Sequence, residues 1–79
     1  MMFNVSIYYK AADPNSDLFE SRFILGAQSA SEARNKARKM MKEMYTGEVD
    51  DSTYLGGITY DVPGATAEKR LPITRKADV

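Results

Sequence analysis

Acid–base chemistry in this chain would have to use carboxylates, lysine or tyrosine, because the sequence contains neither histidine nor cysteine. Asp50 and Asp51 are adjacent, and paired carboxylates can act as general acid and general base. Adjacent side chains on a loop diverge in direction, however. No general acid, oxyanion donor or phosphate-cradling glycine motif accompanies these two. We therefore expect no catalytic residues and no enzymatic activity.

The missing histidine and cysteine also limit metal and redox chemistry. Zinc sites are built mainly from these two residues, and disulfide scaffolds and thiol redox motifs need cysteine. The calcium-loop pattern, in which Asp and Asn alternate before a glycine, is absent as well. The sequence predicts neither a metal nor a cofactor.

Negative charge is concentrated in residues 48–61, which contain Glu48, Asp50, Asp51 and Asp61 and no lysine or arginine. Such a cluster could imitate the phosphates of a nucleic acid for a protein that normally binds one. The alternative is a solubilising loop. We assign Glu48, Asp50 and Asp51 as candidate partner-binding residues.

Positive charge is concentrated just after Ser29, where five basic side chains outnumber two glutamates on the face opposite an apolar stripe. These side chains could contact phosphates, or they could form an ordinary solvated helix face. No aromatic residue is interleaved to stack on bases, which weakens the nucleic-acid interpretation. The candidate contacts are Arg34, Arg38 and Lys42, with Lys36 and Lys39 beside them.

Tyrosines form the third group of candidates, because a phenol combines an apolar ring with a polar end. Tyr8 lies on the strand face opposite the apolar residues of its segment, and Tyr54 follows the acidic cluster. Exposed tyrosines are enriched at protein interfaces, although in a small domain they also extend the core. We assign Tyr8 and Tyr54 as partner contacts.

Alternation of apolar and polar residues predicts two strands on either side of a loop at residues 12–17. The short loop favours an antiparallel pair. The predicted inward residues are Phe3, Val5, Ile7 and Tyr9 in the first strand and Phe19, Ser21, Phe23 and Leu25 in the second, with Glu20, Arg22 and Ile24 outward.

A capping box predicts that a helix begins near Ala30. The Ser29 hydroxyl can accept a hydrogen bond from the backbone three residues later, and Glu32 can return that bond. Apolar positions then repeat at helical spacing, and Gly47 favours a left-handed cap at the end. The predicted core is Phe3, Val5, Ile7, Phe23, Leu25, Ala33, Ala37, Met40 and Met44.

The pattern of residues 53–62 predicts a third strand. Gly56 and Gly57 interrupt this strand, and glycines there suggest a bulge or the close approach of another backbone. Residues 71–73 could add an edge strand, where Pro72 is tolerated, and residues 76–79 are expected to be a flexible tail. The order β-β-α-β, with or without a further strand, predicts an α+β domain. One helix packs on one face of an antiparallel sheet of three to four strands.

Length and net charge limit the organisation of the protein. Its 79 residues predict one domain, residues 1–79, with a thin core. Eleven basic and eleven acidic residues cancel, so no global field attracts nucleic acid or a membrane. Neither a signal-peptide pattern nor a long apolar run is present. We expect a cytoplasmic monomer that binds no membrane and binds free nucleic acid weakly at most.

Two motifs carry a resemblance to known proteins. The chain reads I-Y-Y-K at residues 7–10 and, after a polar loop, F-I-L-G-A-Q-S-A-S-E-A-R at residues 23–34. In this it resembles small phage-encoded anti-CRISPR proteins directed at type I systems, one family of which opens a basic helix with A-Q-S-x-S-E-A. The resemblance implies an inhibitor that binds a crRNA-guided surveillance complex and blocks recruitment of target DNA. The residues alone leave open a nucleic-acid-binding module that uses the basic helix.

Overall fold

The computed structural model describes residues 1–10, 18–71 and 74–76. It has the small α+β fold predicted from the sequence, with one helix packed on an antiparallel sheet. The elements are β1 (Met2–Lys10), β2 (Leu18–Gly26), α1 (Ala30–Met44), a 3-10 turn (Asp51–Thr53), β3 (Tyr54–Asp61), β4 (Lys69–Arg70) and β5 (Thr74–Lys76).

Strand β1 lies at the centre of the sheet, which has the order β3-β1-β2-β4, and β5 also pairs with β2. β1 pairs antiparallel with β2 and with β3 over nearly its whole length. Its strict alternation therefore places one row of side chains under the helix and the other row on the outer face of the sheet. In the described part of the chain, β3 is one edge of this sheet.

Helix α1 begins where the capping box predicts. The N-cap Ser29 accepts a hydrogen bond from the backbone N–H of Glu32 at 3.1 Å. The Glu32 carboxylate, however, accepts from the backbone N–H of Gln28, at 3.4 Å, so the predicted return bond to Ser29 is replaced by one to its neighbour. Beyond the end of the helix, Gly47 has a φ of 85°, the left-handed conformation that the sequence predicts.

The core is a single layer between α1 and the inner face of the sheet. Ala33, Ala37 and Met41 are fully buried at a spacing of four residues. Met40 and Met44, both predicted in the core, are only half-buried, because Met40 lies at the margin of this row and Met44 is the last helical residue. The buried apolar residues are Phe3, Val5, Ile7, Tyr9, Phe19, Phe23, Leu25, Ala33, Ala37, Met41 and Val49.

Glu20 of β2 combines the predicted outward orientation with an unexpected degree of burial. It faces outward as expected, yet only 3% of it is exposed. The Tyr8 hydroxyl donates a hydrogen bond to its carboxylate at 2.9 Å, and Arg22 Nε approaches the same oxygen at 3.3 Å. Polar partners of this kind make it possible to bury a carboxylate. The outer face therefore carries a buried carboxylate that is held by a tyrosine and an arginine.

The glycine pair in β3 produces both of the features predicted for it. The register against β1 shifts between Tyr8 and Tyr9, and Gly56 has a φ of 129°. Gly57 lies against β1 and the helix: a Cβ placed there would be 2.9 Å from Cδ1 of Ile7, 3.1 Å from the Ser6 carbonyl oxygen and 3.2 Å from Cδ of Arg34. The bulge leaves Leu55 outward and 58% exposed. A side chain at Gly57 would therefore have to displace Ile7, the backbone of β1 and Arg34.

Strand boundaries differ from prediction towards the C-terminus. β3 covers Tyr54–Asp61 in place of residues 53–62, because residue 53 belongs to the 3-10 turn. The predicted edge strand at 71–73 falls partly outside the described residues. The predicted loop at 12–17 and residues 77–79 of the predicted tail lie wholly outside them. Lys76, which we assigned to that tail, is the last residue of β5.

Removing a core ring tests this packing. Phe23→Ala should lower the free energy of unfolding by about 3–5 kcal/mol, because Phe23 is fully buried. Urea unfolding followed by circular dichroism measures the change. Ile24→Ala is the matched control. The Ile24 side chain is next to Phe23 in sequence but lies half-buried on the outer face, so this variant should lose clearly less unfolding free energy. A Phe23→Ala variant that unfolds at the parent's midpoint would contradict the core assignment.

Removing the helix cap tests the start of α1. Ser29→Ala should destabilise the protein by about 1 kcal/mol, because the Glu32 N–H loses its acceptor. Ser31→Ala, an exposed change inside the first turn, should be neutral or slightly stabilising. Equal unfolding midpoints for the two variants would show that Ser29 does not act as the cap.

Candidate functional site

Two segments that are distant in sequence form one charged surface. Asp51, in the 3-10 turn, accepts from Arg38 Nη2 at 2.9 Å through Oδ1 and from Lys42 Nζ at 3.2 Å through Oδ2. Arg38 and Lys42 are one helical turn apart, so both reach the same carboxylate. We call Arg38, Lys42, Asp50, Asp51 and Tyr54 the Asp51 cluster.

Arg38 connects the Asp51 cluster to the core. Its guanidinium carbon lies 4.1 Å from the centre of the Tyr54 ring, a cation–π contact. Tyr54 in turn contacts the buried ring of Tyr9, with 5.4 Å between the centroids. The guanidinium is therefore held between a ring on one side and the carboxylate of Asp51 on the other.

The electrostatic surroundings keep Arg38 charged. The Tyr9 hydroxyl is the largest cause of a raised pKa at Arg38, and Asp51 and Tyr54 add to it. Within the described segments, the buried Tyr9 hydroxyl makes no hydrogen bond of good geometry. An arginine with a raised pKa is a permanent cation.

Asp50 organises the turn that presents Asp51. Its carboxylate accepts from the Ser52 hydroxyl at 2.6 Å and from the Ser52 backbone N–H at 2.9 Å. The Thr53 hydroxyl completes the capping box by accepting from the Asp50 backbone N–H at 3.1 Å. The hydrogen bond from the Ser52 side chain is the main cause of a lowered pKa at Asp50. Asp50 remains exposed, but its Oδ1 already accepts both hydrogen bonds from Ser52.

The remaining predicted helix cations point to different places. Arg34 Nε donates to the Thr59 hydroxyl at 3.2 Å, beside β3. Lys36 Nζ donates to the carbonyl oxygen of Gly26 at 2.6 Å and lies 3.8 Å from Glu68. Within the ranges that the structure describes, Lys39 is the only basic residue of α1 that makes no such contact. Most basic side chains of α1 therefore already make hydrogen bonds or ion pairs within the fold.

The acidic segment and the basic helix, which are two separate groups of candidates in the sequence, meet at this site. Asp51 of the acidic segment is paired with two cations of the basic helix. Together with Asn35 and Lys39, these three residues line a shallow depression of about 170 Å³. Glu48 is exposed nearby in sequence, and its backbone N–H closes the turn after α1 by donating to the Tyr45 carbonyl oxygen at 2.9 Å.

Tyr8 lies away from the Asp51 cluster, on the outer face of the sheet. It is half-buried, and its hydroxyl donates to Glu20 at 2.9 Å. Burial, followed by the hydrogen bond to Glu20, raises the pKa of Tyr8. The two predicted tyrosine contacts, Tyr8 and Tyr54, therefore belong to opposite faces of the sheet.

Sequence reasoning missed the exposed apolar side chains of β3. Leu55, Ile58 and Tyr60 are 58%, 44% and 60% exposed. Alternation along β3 places Ile58 and Tyr60 on one face, but because of the glycine bulge the sequence does not tell which face that is. Their register opposite Ser6 and Asn4 places them on the outer face.

The described residues contain neither of two further classes of site. No group of three or more carboxylate, histidine or cysteine side chains there could hold a metal ion. No helix among them is long and apolar enough to span a membrane.

Comparison with known proteins gives no relative: no protein-family model, curated protein or solved structure matches this chain.

The lowered pKa of Asp50 gives a prediction about the turn. Ser52→Ala should move that pKa back towards the ordinary aspartate value, because the largest stabilising hydrogen bond is lost. Carboxyl-carbon NMR titration measures it, and Ser52→Thr, which keeps a hydroxyl, is the control. A group with a depressed folded-state pKa stabilises the fold above its unfolded pKa, and that contribution is lost as the pH falls through the folded pKa. An unchanged Asp50 titration in Ser52→Ala would contradict the assigned bond.

Proposed function

We propose that this protein is a non-enzymatic anti-CRISPR inhibitor. It binds a protein subunit of a type I crRNA-guided surveillance complex in the cytoplasm of the bacterial host and blocks recruitment of target DNA. The observation that carries the proposal is the Asp51 cluster, where charges of both signs are held at fixed positions on one surface.

A preorganised surface of mixed charge favours a protein partner. The side chains of Arg38, Lys42 and Asp51 are 31%, 40% and 64% exposed, so they are accessible to a partner. Their mutual contacts already restrict their rotamers, which reduces the entropy lost on binding. A partner with complementary acidic and basic groups gains from both signs, and interfaces use such complementarity for specificity.

The same geometry disfavours a bare nucleic acid. Phosphates would have to displace Asp51 from Arg38 and Lys42 while being repelled by its neighbour Asp50. The net charge of the chain is zero, so no long-range attraction offsets this competition. Binding to free DNA at physiological salt is therefore expected to be weak.

The choice of partner has two supports. Residues 7–34 resemble anti-CRISPR proteins directed at type I systems. A complex that recruits DNA must also present basic grooves, and the exposed carboxylates of Glu48 and Asp51 are suited to such grooves. Occupying a groove of this kind blocks DNA without any chemical step.

Inhibition of DNA recruitment tests the proposal. A purified type I surveillance complex is incubated with increasing amounts of the protein, and its binding of a fluorescent target duplex is followed by electrophoretic mobility shift. We expect target binding to be lost and the effect to saturate at a fixed molar ratio. Target binding that survives a large molar excess would refute the proposal. Full inhibition far below one molecule per complex would indicate an enzyme.

Charge reversal locates the contact. Asp51→Lys should weaken binding to the complex by about 2–5 kcal/mol if the carboxylate is buried at the interface. Glu43→Lys makes the same charge change at an exposed helical position outside the cluster and should have little effect. For a nucleic-acid-binding module the result would be opposite: Asp51→Lys would strengthen binding to free duplex, and Arg38→Glu would abolish it. Submicromolar binding of free DNA with that pattern would replace the inhibitor proposal.

A further inference from the structure

Within the described residues, the edge of β3 has unpaired backbone groups in a defined pattern. The Val62 N–H donates to the Met2 carbonyl oxygen at 2.9 Å, opposite the start of β1. In an antiparallel ladder alternate residues bond to the same neighbour, so Ile58 and Tyr60 also direct their N–H and C=O groups to β1. Gly57, Thr59 and Asp61 therefore direct theirs away from the sheet, where no described strand pairs with them.

This edge lacks the usual protection against pairing. Edge strands are commonly short or carry lysine or proline, whereas β3 has eight residues and contains neither. Ile58 and Tyr60 are well exposed beside the free backbone groups. The bulge at Leu55 and Gly56 limits the edge on one side, and Pro63, which has no N–H, limits it on the other.

We infer that residues 57–61 of β3 pair antiparallel with the same residues of a second copy of this chain, about a two-fold axis at Thr59. With the two-fold axis at Thr59, all three outward-directed residues are paired. Gly57 of one copy lies opposite Asp61 of the other, and the two Thr59 residues lie opposite each other. Centres at residues 57 or 58 bring the bulge into the ladder, and centres at residues 60 or 61 bring in Pro63. The free edge therefore has one complete symmetric register, as a two-fold interface requires.

Side chains on both faces are complementary in this register. On the outer face, Ile58 of each copy lies opposite Tyr60 of the other, a favourable pair of a β-branched and an aromatic residue. On the inner face, Asp61 lies opposite Gly57 of the second copy, against which Arg34 of that copy packs. Asp61 makes no ion pair within the described residues, so each copy supplies an anion beside the other's cation.

The paired edge makes one continuous sheet from two copies. Five residues from each strand bury little area compared with a stable dimer interface, so the association is expected to depend on concentration. A dimer differs from the monomer that we expected from the sequence. The sequence alone does not indicate which strand lies at an edge of the sheet. The inference does not rest on the proposed function, because the Asp51 cluster is not part of the paired edge.

Amide hydrogen exchange measured by NMR tests the register. At high protein concentration the amides of Gly57, Thr59 and Asp61 should exchange slowly, and dilution should make them exchange fast. The amides of Ile58 and Tyr60, which bond to β1, should remain slow at both concentrations. Fast exchange of Thr59 at the highest concentration, with only monomer in sedimentation equilibrium, would overturn the inference. So would protection that appears only when a different protein is added.

A charge swap tests the inter-copy contact. Asp61→Arg should raise the dissociation constant of the dimer about tenfold, because two symmetric attractions become repulsions with Arg34. Arg34→Asp should act similarly, and the double variant should recover the dimer. Leu55→Lys, an exposed change on β3 outside residues 57–61, is the control and should leave it intact. Circular dichroism verifies that each variant is folded. A dimer that persists in both single variants would show that another surface is used.

Discussion

Arg38 is the side chain on which the proposed site depends. It stacks on Tyr54 at 4.1 Å and pairs with Asp51 at 2.9 Å, so it joins α1 to the start of β3 and to the turn before it. Both contacts are possible because Asp50 caps that turn and fixes the path of the chain between them. The carboxylate of Asp51 therefore lies among the cations of the helix, and the surface becomes one of mixed charge.

A single helix over the sheet determines which other surfaces are available. α1 covers the inner face, and its small residues Ala33 and Ala37 let it pack directly on the strands. Within the described chain, the outer face and the edge of β3 have no such cover. We propose two distinct places for association, the Asp51 cluster and the strand edge, and Arg34 borders the second of them through Thr59.

Local signals predicted most of the fold. Alternation defined β1 and β2, and the serine cap defined the start of α1, because both depend on neighbours in sequence. Long-range contacts were not predictable. The pairing of Asp51 with Arg38 and Lys42 depends on how the turn folds back on the helix, and the burial of Glu20 depends on Tyr8 from another strand. The glycine bulge likewise concealed which face Ile58 and Tyr60 occupy.

Hydrogen–deuterium exchange of the protein bound to a purified type I surveillance complex tests the central claim most directly. If the Asp51 cluster is the binding surface, peptides covering residues 38–54 should lose exchange on binding, while the β2 peptide covering residues 18–26 should change little. Peptides of the surveillance complex that lose exchange on binding should contain basic residues of its DNA-binding groove. Complex formation without protection of residues 38–54, or no complex formation at micromolar concentrations, would contradict the account.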